Sequence, residues 1–424
     1  MAEWTDEQFV ASVREELLSD ILPFWRSRTV DQRRGGFIGE MANDLRIQDG
    51  ASKGLILNAR ILWSFSAFYR HTQDERDRAL ARRAYEYLTE RFLDKQHGGY
   101  FWELDPDGAV LDDKKKIYGQ AFCIYALAEY SRAFNEPAAV KQARDVFDLI
   151  EVYASDTQYG GYLEVMSRDW RPCEDMRLSD KDLNEKKSMN NHLHVLEGYT
   201  NLVRVLPEPP IAERLRDLIE VFCQHIVNPE RTHFQHFFDE AWTPKSDSYT
   251  FGHDIEGSWL LCEAADVLGS ERLSELVRSL VTKMARAVLD EGLDHDGGLF
   301  YEGRGGQIIN PNKEWWPQAE AVVGFYNAWQ LTGDAAFREA AVRCWRFIQD
   351  RVVDRERGEW FWCIRSDGAP DPAQPKVSAW KGPYHNGRCC LEMIRRSSFV
   401  ARPSAGNTSD EGRATSDDTQ ENHG

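Results

Sequence analysis

Apolar residues recur along most of the chain at the three- and four-residue spacing of amphipathic helices. In the first such segment, residues 6–25, Phe9, Val13 and Leu17 fall on one helical face. The segments predicted as helices in this way are 6–25, 56–69, 74–92, 117–134, 137–152, 188–206, 211–226, 255–268, 271–288, 316–331, 335–352 and 384–398. The pattern therefore predicts a largely helical protein.

After the first segment, the predicted helices alternate in character. Segments such as 117–134 are apolar on nearly all sides, which is typical of helices that pack on both faces. The segments between them, such as 74–92, carry charged residues along one face. This alternation predicts an inner ring of buried helices and an outer ring that faces the solvent.

A Gly-Gly-aromatic sequence precedes most of the buried segments. The clean copies are Gly35-Gly36-Phe37, Gly98-Gly99-Tyr100, Gly160-Gly161-Tyr162 and Gly297-Gly298-Leu299-Phe300, and the degenerate copies are Thr232-His233-Phe234 and Gly358-Glu359-Trp360. Their second positions (36, 99, 161, 233, 298 and 359) are 63, 62, 72, 65 and 61 residues apart. A period of this length indicates a repeated structural unit.

Six helical hairpins in series, joined by short strand-like loops, predict an all-α (α/α)6 barrel with one central cavity. Because such units share one core, residues 1–402 are interpreted as a single domain. Residues 403–424 are Ser, Thr, Asp, Glu, Asn and Gly without apolar periodicity, so this segment is predicted to be a disordered acidic tail.

Composition narrows the classes of function. The net charge is −18 and there is no basic cluster, which argues against nucleic acid as a partner. No apolar run approaches the roughly 18 residues of a membrane span, and the acidic first residues do not resemble a signal peptide. The eight cysteines are scattered without a Cys-x-x-Cys pair, as expected for free thiols in a reducing compartment. We therefore expect a cytoplasmic protein.

Three histidines near the starts of buried helices are the main chemical candidates. His194 shares a polar stripe with Asn190 and Glu197 on an otherwise apolar helix. His253 has Glu256 three residues later on the same helical face, and a carboxylate beside imidazole raises its pKa. His385 opens the last buried helix.

Other polar or aromatic residues accompany them on the buried helices. Arg60 lies in an apolar segment, where a guanidinium needs a carboxylate partner or an anionic ligand. Tyr118, Trp316 and Glu320 lie near the starts of two further buried helices. His192 and His194 are two residues apart and point away from each other on a helix, so they do not form a metal-binding pair.

Two histidines on opposite walls of an aromatic pocket suit removal and return of the C2 proton of an open-chain aldose. An inverting glycosidase, using two of Asp254, Glu256, Glu302 and Glu320, would leave these histidines without a role. A sugar-binding protein without catalysis would have no need for acid/base pairs. Neither a dinucleotide fingerprint nor metal-ligand spacing is present in the sequence, so we predict no metal and no cofactor.

Four sequence motifs resemble the N-acylglucosamine 2-epimerase superfamily and, within it, the cellobiose 2-epimerase family. They are Lys-Ser-Met-Asn-Asn-His-Leu-His-Val-Leu-Glu at 187–197, Gly-His-Asp-Ile-Glu at 252–256, Glu-Trp-Trp-Pro-Gln-Ala-Glu at 314–320 and Trp-Lys-Gly-Pro-Tyr-His-Asn at 380–386. The resemblance covers about residues 5–400 and implies an (α/α)6 barrel with metal-free, cofactor-free epimerisation at C2 of a reducing-end glucose.

The resemblance also implies roles for individual residues. His253 and His385 would be the acid/base pair, His194 would assist at O1 or in ring opening, and Glu256 would orient His253. The residues implied to bind the sugar are Arg60, Tyr118, Asn190, Trp316, Glu320 and Trp380.

We therefore expect an isomerase acting on β-1,4-linked disaccharides, converting cellobiose to glucosyl-mannose and lactose to epilactose. A mannose/glucose 2-epimerase or an aldose–ketose isomerase acting on monosaccharides is the alternative. The expected partner is a small sugar, and the expected assembly is a monomer or weak homodimer.

Overall fold

The computed structural model describes residues 4–400, with side chains up to 397. The α-helices are α1 Asp6–Glu16, α2 Leu22–Arg28, α3 Leu55–Thr72, α4 Glu75–Tyr87, α5 Ile117–Phe134, α6 Pro137–Tyr153, α7 Met189–Val205, α8 Pro209–Val221, α9 Phe251–Leu268, α10 Glu271–Ala287, α11 Trp315–Thr332, α12 Ala335–Phe347 and α13 Tyr384–Val400. The predicted tail at 403–424 lies outside the described residues.

The odd-numbered helices from α3 to α13 form a closed inner ring. Each contacts the next in sequence, and α13 returns to contact α3. In α5 every residue from Ile117 to Ser131 is buried, as the apolar pattern predicted. The prediction of an (α/α)6 barrel is confirmed.

The outer ring consists of the even-numbered helices from α4 to α12, together with α1 and α2. Each even-numbered helix packs on the inner helix that precedes it, and α1 packs on α13. A one-turn π-helical segment, Leu17–Ile21, joins α1 to α2, so the predicted helix 6–25 is interrupted. Similar π-helical turns end α4, α8, α10 and α12.

Short antiparallel strands lie at one end of the barrel, and five of them run directly into inner helices. The strands are β1 Lys53–Gly54, β2 Glu103–Leu104, β3 Val110–Asp112, β4 Lys115–Lys116, β5 Val165–Met166, β6 Lys187–Ser188, β7 Phe237–Phe238, β8 Ser248–Thr250, β9 Glu302–Arg304, β10 Gln307–Asn310, β11 Lys313–Glu314 and β12 Cys363–Ile364. They pair as β1-β2-β3, β8-β9-β10, β4-β5, β6-β7 and β11-β12.

Buried Lys–Asp pairs fasten the Gly-Gly loops to the starts of the inner helices. Five pairs have Nζ–Oδ2 distances of 2.6–3.0 Å: Lys53–Asp31, Lys115–Asp94, Lys187–Asp156, Lys313–Asp294 and Lys376–Asp354. In the fourth repeat, His233 replaces the second glycine, and its Nδ1 lies 2.7 Å from Asp254. The recurrence of one ion pair explains how five divergent units keep the same loop geometry.

One polar residue in the first turn of an inner helix binds the backbone of the preceding loop. The side chain of Gln120 bonds both backbone groups of Tyr100, and that of Gln318 bonds both of Leu299. His192 takes the equivalent role, since its Nε2 accepts from the backbone N–H of Tyr162 at 2.9 Å. His192 is therefore part of the loop framework.

Two longer connections approach the same end of the barrel. Residues 303–313 form the turn and second strand of the β9–β10 hairpin rather than an irregular loop. Residues 168–187 run irregularly across the barrel end and bury Met176. Within residues 4–397, none of the helices has the length and apolarity needed to cross a membrane, and all eight cysteines are free thiols.

Candidate active site

One layer of side chains inside the barrel brings together four of the predicted site residues. Its members lie five residues after the first residue of each inner helix, or four in α13: Arg60, Phe122, His194, Glu256, Glu320 and Arg388. All six are buried. Because the six helices enter from the same end, these side chains meet near the barrel axis.

His253 and His385 lie one turn above this layer, each three residues before its member on the same helix. His194 belongs to the layer itself. The prediction that all three histidines occupy the same position of the repeat is therefore wrong for His194, which sits one turn deeper.

His385 is held by a carboxylate. Its Nδ1 lies 2.7 Å from Oε1 of Glu320, whose Oε2 accepts from the indole N–H of Trp259 at 3.0 Å. Burial lowers the pKa of His385 to about 3, and the opposing effect of Glu320 does not compensate. The imidazole is therefore neutral near pH 7 and can act as a base.

Arg388 binds several acidic side chains in and around the layer. Its Nη2 donates to Glu256 at 2.5 Å and to Glu320 at 2.7 Å, and its Nη1 donates to Glu197. The guanidinium also lies over the rings of Tyr384 and Trp259. One cation thus binds three buried carboxylates, which would otherwise repel one another strongly.

The carboxylates beside Arg388 differ in protonation. Burial and the neighbouring Glu320 raise the pKa of Glu256 well above its ordinary value. Burial also disfavours ionised Glu320, but Arg388 and the hydrogen bond from His385 prevail and lower its pKa. Glu256 therefore keeps a proton near neutral pH, while Glu320 is ionised.

His194 has its own carboxylate partner. Its Nδ1 lies 2.9 Å from Oε2 of Glu197, as their spacing on α7 allows, and Tyr384 donates to the same carboxylate. Burial lowers the pKa of His194, and the nearby charges of Arg60 and Arg388 add to this effect. Two members of the predicted polar stripe on α7 are therefore in contact with each other.

His253 has no carboxylate within hydrogen-bond distance among the described residues. Its Nδ1 lies 2.6 Å from Oγ1 of Thr250, and its ring centroid is 6.0 Å from that of His236. The predicted orientation of His253 by Glu256 is wrong, because Glu256 binds Arg388 and lies 3.9 Å from Nδ1 of His385. Burial and three neighbouring imidazoles lower the pKa of His253 well below its ordinary value.

Trp316 lies between His253 and His385. Its ring centroid is 4.7 Å from that of His253 and 5.6 Å from that of His385. The indole N–H bonds Oε2 of Glu314 at 3.2 Å, which fixes the ring. A sugar stacked on this indole would contact both imidazoles.

Arg60 is buried without a carboxylate partner among the described residues. Its Nη1 donates to the carbonyl of Trp380 at 2.7 Å and its Nη2 to the hydroxyl of Tyr118 at 3.1 Å, while Nε has no acceptor. Burial raises the pKa of Tyr118 to about 12, so its phenol stays protonated. A buried cation with only neutral partners favours a ligand that carries or develops negative charge.

A cavity of about 630 Å³ opens beside His253. Asn190 lines it and has a buried Oδ1 without a hydrogen-bond partner. The connection 168–187 supplies part of the wall through Met176, Leu178, Asp182, Leu183 and Glu185. This connection therefore borders the candidate active site.

Glu256, Glu320 and His385 have ligand atoms within 4.8 Å of one another, a spacing that could hold a metal ion. Nη2 of Arg388 already lies against the same two carboxylate oxygens. A metal ion would have to displace this guanidinium, so the group does not fit a resident metal in this arrangement.

The sequence interpretation did not assign roles to Arg388, Thr250 or Tyr384. The register of the inner helices carried a signal for Arg388, because it occupies the position of Arg60, His194, Glu256 and Glu320. Thr250 precedes its helix, and no periodic pattern distinguishes it.

Comparison with known proteins identifies the family of this chain. The family model for N-acylglucosamine 2-epimerase (GlcNAc 2-epimerase) matches residues 36–389. The chain is 44% identical to cellobiose 2-epimerase of Bacteroides fragilis over 92% of this chain and 99% of that protein. It is 38% identical to the enzyme of the same name from Dictyoglomus turgidum, covering 91% and 98% of the two chains.

A solved structure shows the same fold. Cellobiose 2-epimerase from Bacillus thermoamylovorans B4167 superposes with a TM-score of 0.88 at 38% identity, covering 92% of this chain and 100% of that one. The chain therefore belongs to the N-acylglucosamine 2-epimerase family and, within it, to the cellobiose 2-epimerase family, which makes it an isomerase that epimerises a sugar at C2.

Proposed function

We propose that the protein interconverts glucose and mannose at the reducing end of β-1,4-linked disaccharides, turning cellobiose into glucosyl-mannose and lactose into epilactose. The observation that carries this proposal is the pair of buried histidines on either side of Trp316. The names of the cellobiose 2-epimerase relatives support the choice of a disaccharide.

In the proposed reaction, the sugar opens and stacks on Trp316, with the reducing end near Arg60. One of His253 and His385 removes the C2 proton, and negative charge develops on O1 and O2 of the enediolate. The other histidine enters this step protonated, delivers its proton to the opposite face of C2 and becomes neutral, while the first histidine becomes imidazolium and later returns its proton to solvent. Imidazole can act as acid or base near neutral pH, and the negative charge that develops on the enediolate favours the protonated form of the donor.

Stabilisation of the enediolate is assigned to Arg60 and His194. Arg60 lacks a carboxylate among the described residues, so its charge is available to an oxyanion. Tyr118 and Asn190 are proposed to bond sugar hydroxyls, and Trp380 is proposed to stack on the second ring. Preorganised donors of this kind stabilise developing charge without reorganisation.

Glu256 is proposed to hold a proton beside His385 and so to adjust the charge around that histidine. Glu320 is proposed to act through His385, because its carboxylate faces that imidazole and Arg388. No metal or cofactor is needed in this scheme. We expect dialysis against a chelator to leave the rate unchanged, and a loss that added metal restores would contradict this assignment.

The same site could serve a monosaccharide, because the connection 168–187 closes part of the cavity beside His253. An inverting glycosidase is disfavoured: the Glu256 and Glu320 oxygens lie within 4.8 Å, whereas that reaction needs roughly 6.5–9.5 Å between the carboxyl groups.

Incubation with cellobiose and, separately, mannose in heavy water, followed by NMR at C2, tests the proposal. Deuterium at C2 of glucosyl-mannose formed from cellobiose is the expected result. Turnover of mannose alone would replace the disaccharide assignment by the monosaccharide one. Release of free glucose from cellobiose would contradict epimerisation.

A further inference from the structure

A second cavity lies inside the barrel at the end opposite the histidines. The C-terminal halves of the inner helices line most of it, whereas the proposed active site uses their N-terminal turns. Besides Arg388, four arginines contribute to its wall: Arg70, Arg132, Arg204 and Arg395. On a chain with a net charge of −18, such a basic interior is unexpected.

Carboxylates offset only part of this charge. Arg70 and Arg132 both bind Glu129, at 2.6 and 2.7 Å, and Arg204 binds Glu263 at 2.7 Å. With Glu392, which binds Arg395 at 2.6 Å, three carboxylates face four guanidinium groups. Each guanidinium carries five N–H donors, and each carboxylate has about four acceptor positions. Oδ1 of Asn201 also accepts from Arg132 at 3.0 Å and from Arg204 at 3.5 Å, and donors still outnumber acceptors among these groups.

Two residues of the cavity wall also have buried donors without an acceptor. They are Nε of Arg388 and the indole Nε1 of Trp63. A buried donor without an acceptor costs free energy, and a ligand or water that supplies oxygen atoms removes that cost. The excess of donors therefore favours an oxygen-rich anion.

Arg388 belongs to both ends of the barrel interior. Its two terminal nitrogens bind Glu197, Glu256 and Glu320 on the histidine side. The same side chain contributes to the wall of the second cavity. A negative charge bound in that cavity would compete for Arg388 with the carboxylates behind His194 and His385.

We propose that the second cavity binds a small oxyanion, in the form of a phosphate or carboxylate group, and that its occupancy changes turnover at the histidine site through Arg388. The cavity is an effector site distinct from the sugar site. The binding claim does not depend on the proposed reaction, whereas the claim about turnover does.

Isothermal titration calorimetry of the full chain with inorganic phosphate and, separately, acetate tests the binding claim, at an ionic strength held constant with chloride. We expect saturable binding of about one anion per chain, and the tighter anion identifies the preferred group. Saturating cellobiose should leave this binding in place. Displacement by cellobiose would place the anion in the sugar site and overturn the proposal.

Two matched double variants locate the site. Arg70→Gln with Arg395→Gln removes two cavity charges, and both side chains are half-exposed, so the fold should tolerate the change. Arg78→Gln with Arg82→Gln removes two charges on the outer face of α4. We expect the first variant to bind at least about tenfold more weakly, as loss of charge-assisted hydrogen bonds implies, and the second to bind normally.

Equal binding by both variants, or no saturable binding by the native chain, would overturn the proposal. The arginines would then only offset the negative ends of the inner helix dipoles. In the epimerase assay, the anion is expected to lower kcat several-fold with little change in KM for the sugar. If calorimetry shows binding but kcat is unchanged, the coupling through Arg388 is contradicted while the site stands.

Discussion

The two walls of the proposed active site are the side that carries His253 and the side that carries His385. They share the same position on their helices but differ in the charge of the group that binds the histidine. His253 and His385 occupy the same register of α9 and α13, three residues before the layer that contains Glu256 and Arg388. Behind His385 stands ionised Glu320, bound to Arg388. Behind His253 stands the neutral hydroxyl of Thr250.

This difference shows how a repeated fold makes two unlike bases from one position. A different group behind the imidazole changes the charge near the histidine, while the repeat keeps the histidine at the same position. We infer that the groups around His385 control its charge and protonation, whereas the groups around His253 mainly position it as a base.

Loss of either histidine should have the largest effect. His253→Ala and His385→Ala are each expected to lower kcat for epimerisation by about 10³-fold or more, since acid/base catalysis commonly contributes about 10²–10⁴-fold. Progress of cellobiose epimerisation measures the rate, and circular dichroism controls for folding. Near-native activity in a folded variant would remove that histidine from the mechanism.

Glu320→Gln tests the His385 wall, where an ionised carboxylate binds the histidine. Hydrogen bonds that involve a charged group contribute about 1.5–3 kcal/mol, so kcat should fall about 100-fold while the KM for cellobiose changes little. The split between kcat and KM distinguishes positioning of His385 from a role in sugar binding. A rise in KM with native kcat would instead make Glu320 a binding residue.

Glu256→Gln tests the proton held beside Arg388. Because the pKa of Glu256 is raised, the native enzyme should lose activity as the pH rises through that pKa and Glu256 ionises. Glutamine cannot ionise, so the variant should lack this alkaline decline, and it matches the neutral carboxyl that the native enzyme has near pH 7. A pH–rate profile decides the point: an unchanged alkaline limb would assign it to another group.

Thr250→Val tests the His253 wall, where a neutral hydroxyl binds the histidine, and should have the smallest effect. A neutral hydrogen bond contributes about 1 kcal/mol, so the expected loss of kcat is about fivefold. Thr250→Ser, which keeps the hydroxyl, is the matched control and should remain near native. If Thr250→Val is as damaging as Glu320→Gln, the two walls are not different in the way proposed.

The architecture could be predicted because it depends on periodic features of the sequence. The alternation of buried and amphipathic segments and the Gly-Gly spacing predicted the barrel, and the i, i+3 spacing placed His194 and Glu197 on one face of their helix. Both depend on local geometry, which a single sequence reveals.

The partners of Glu256 and His253 could not be predicted in this way. The i, i+3 spacing placed Glu256 on the face of His253, but Arg388 from α13 lies across the barrel and binds that carboxylate instead. His253 then bonds Thr250, which precedes α9. Such contacts depend on which side chains meet at the axis, and the residue spacing within one helix carries no information about a helix two hairpins further along the chain.

Exchange of the C2 hydrogen in heavy water by the single variants tests the central claim most directly. If His253 and His385 act on opposite faces of C2, each alanine variant should still exchange C2–H for deuterium in one epimer without inverting it. Wash-out from glucose-ended cellobiose by one variant, and from glucosyl-mannose by the other, is the predicted result. Exchange of both epimers by one folded variant would show that a single base serves both faces, and the two-histidine account would be contradicted.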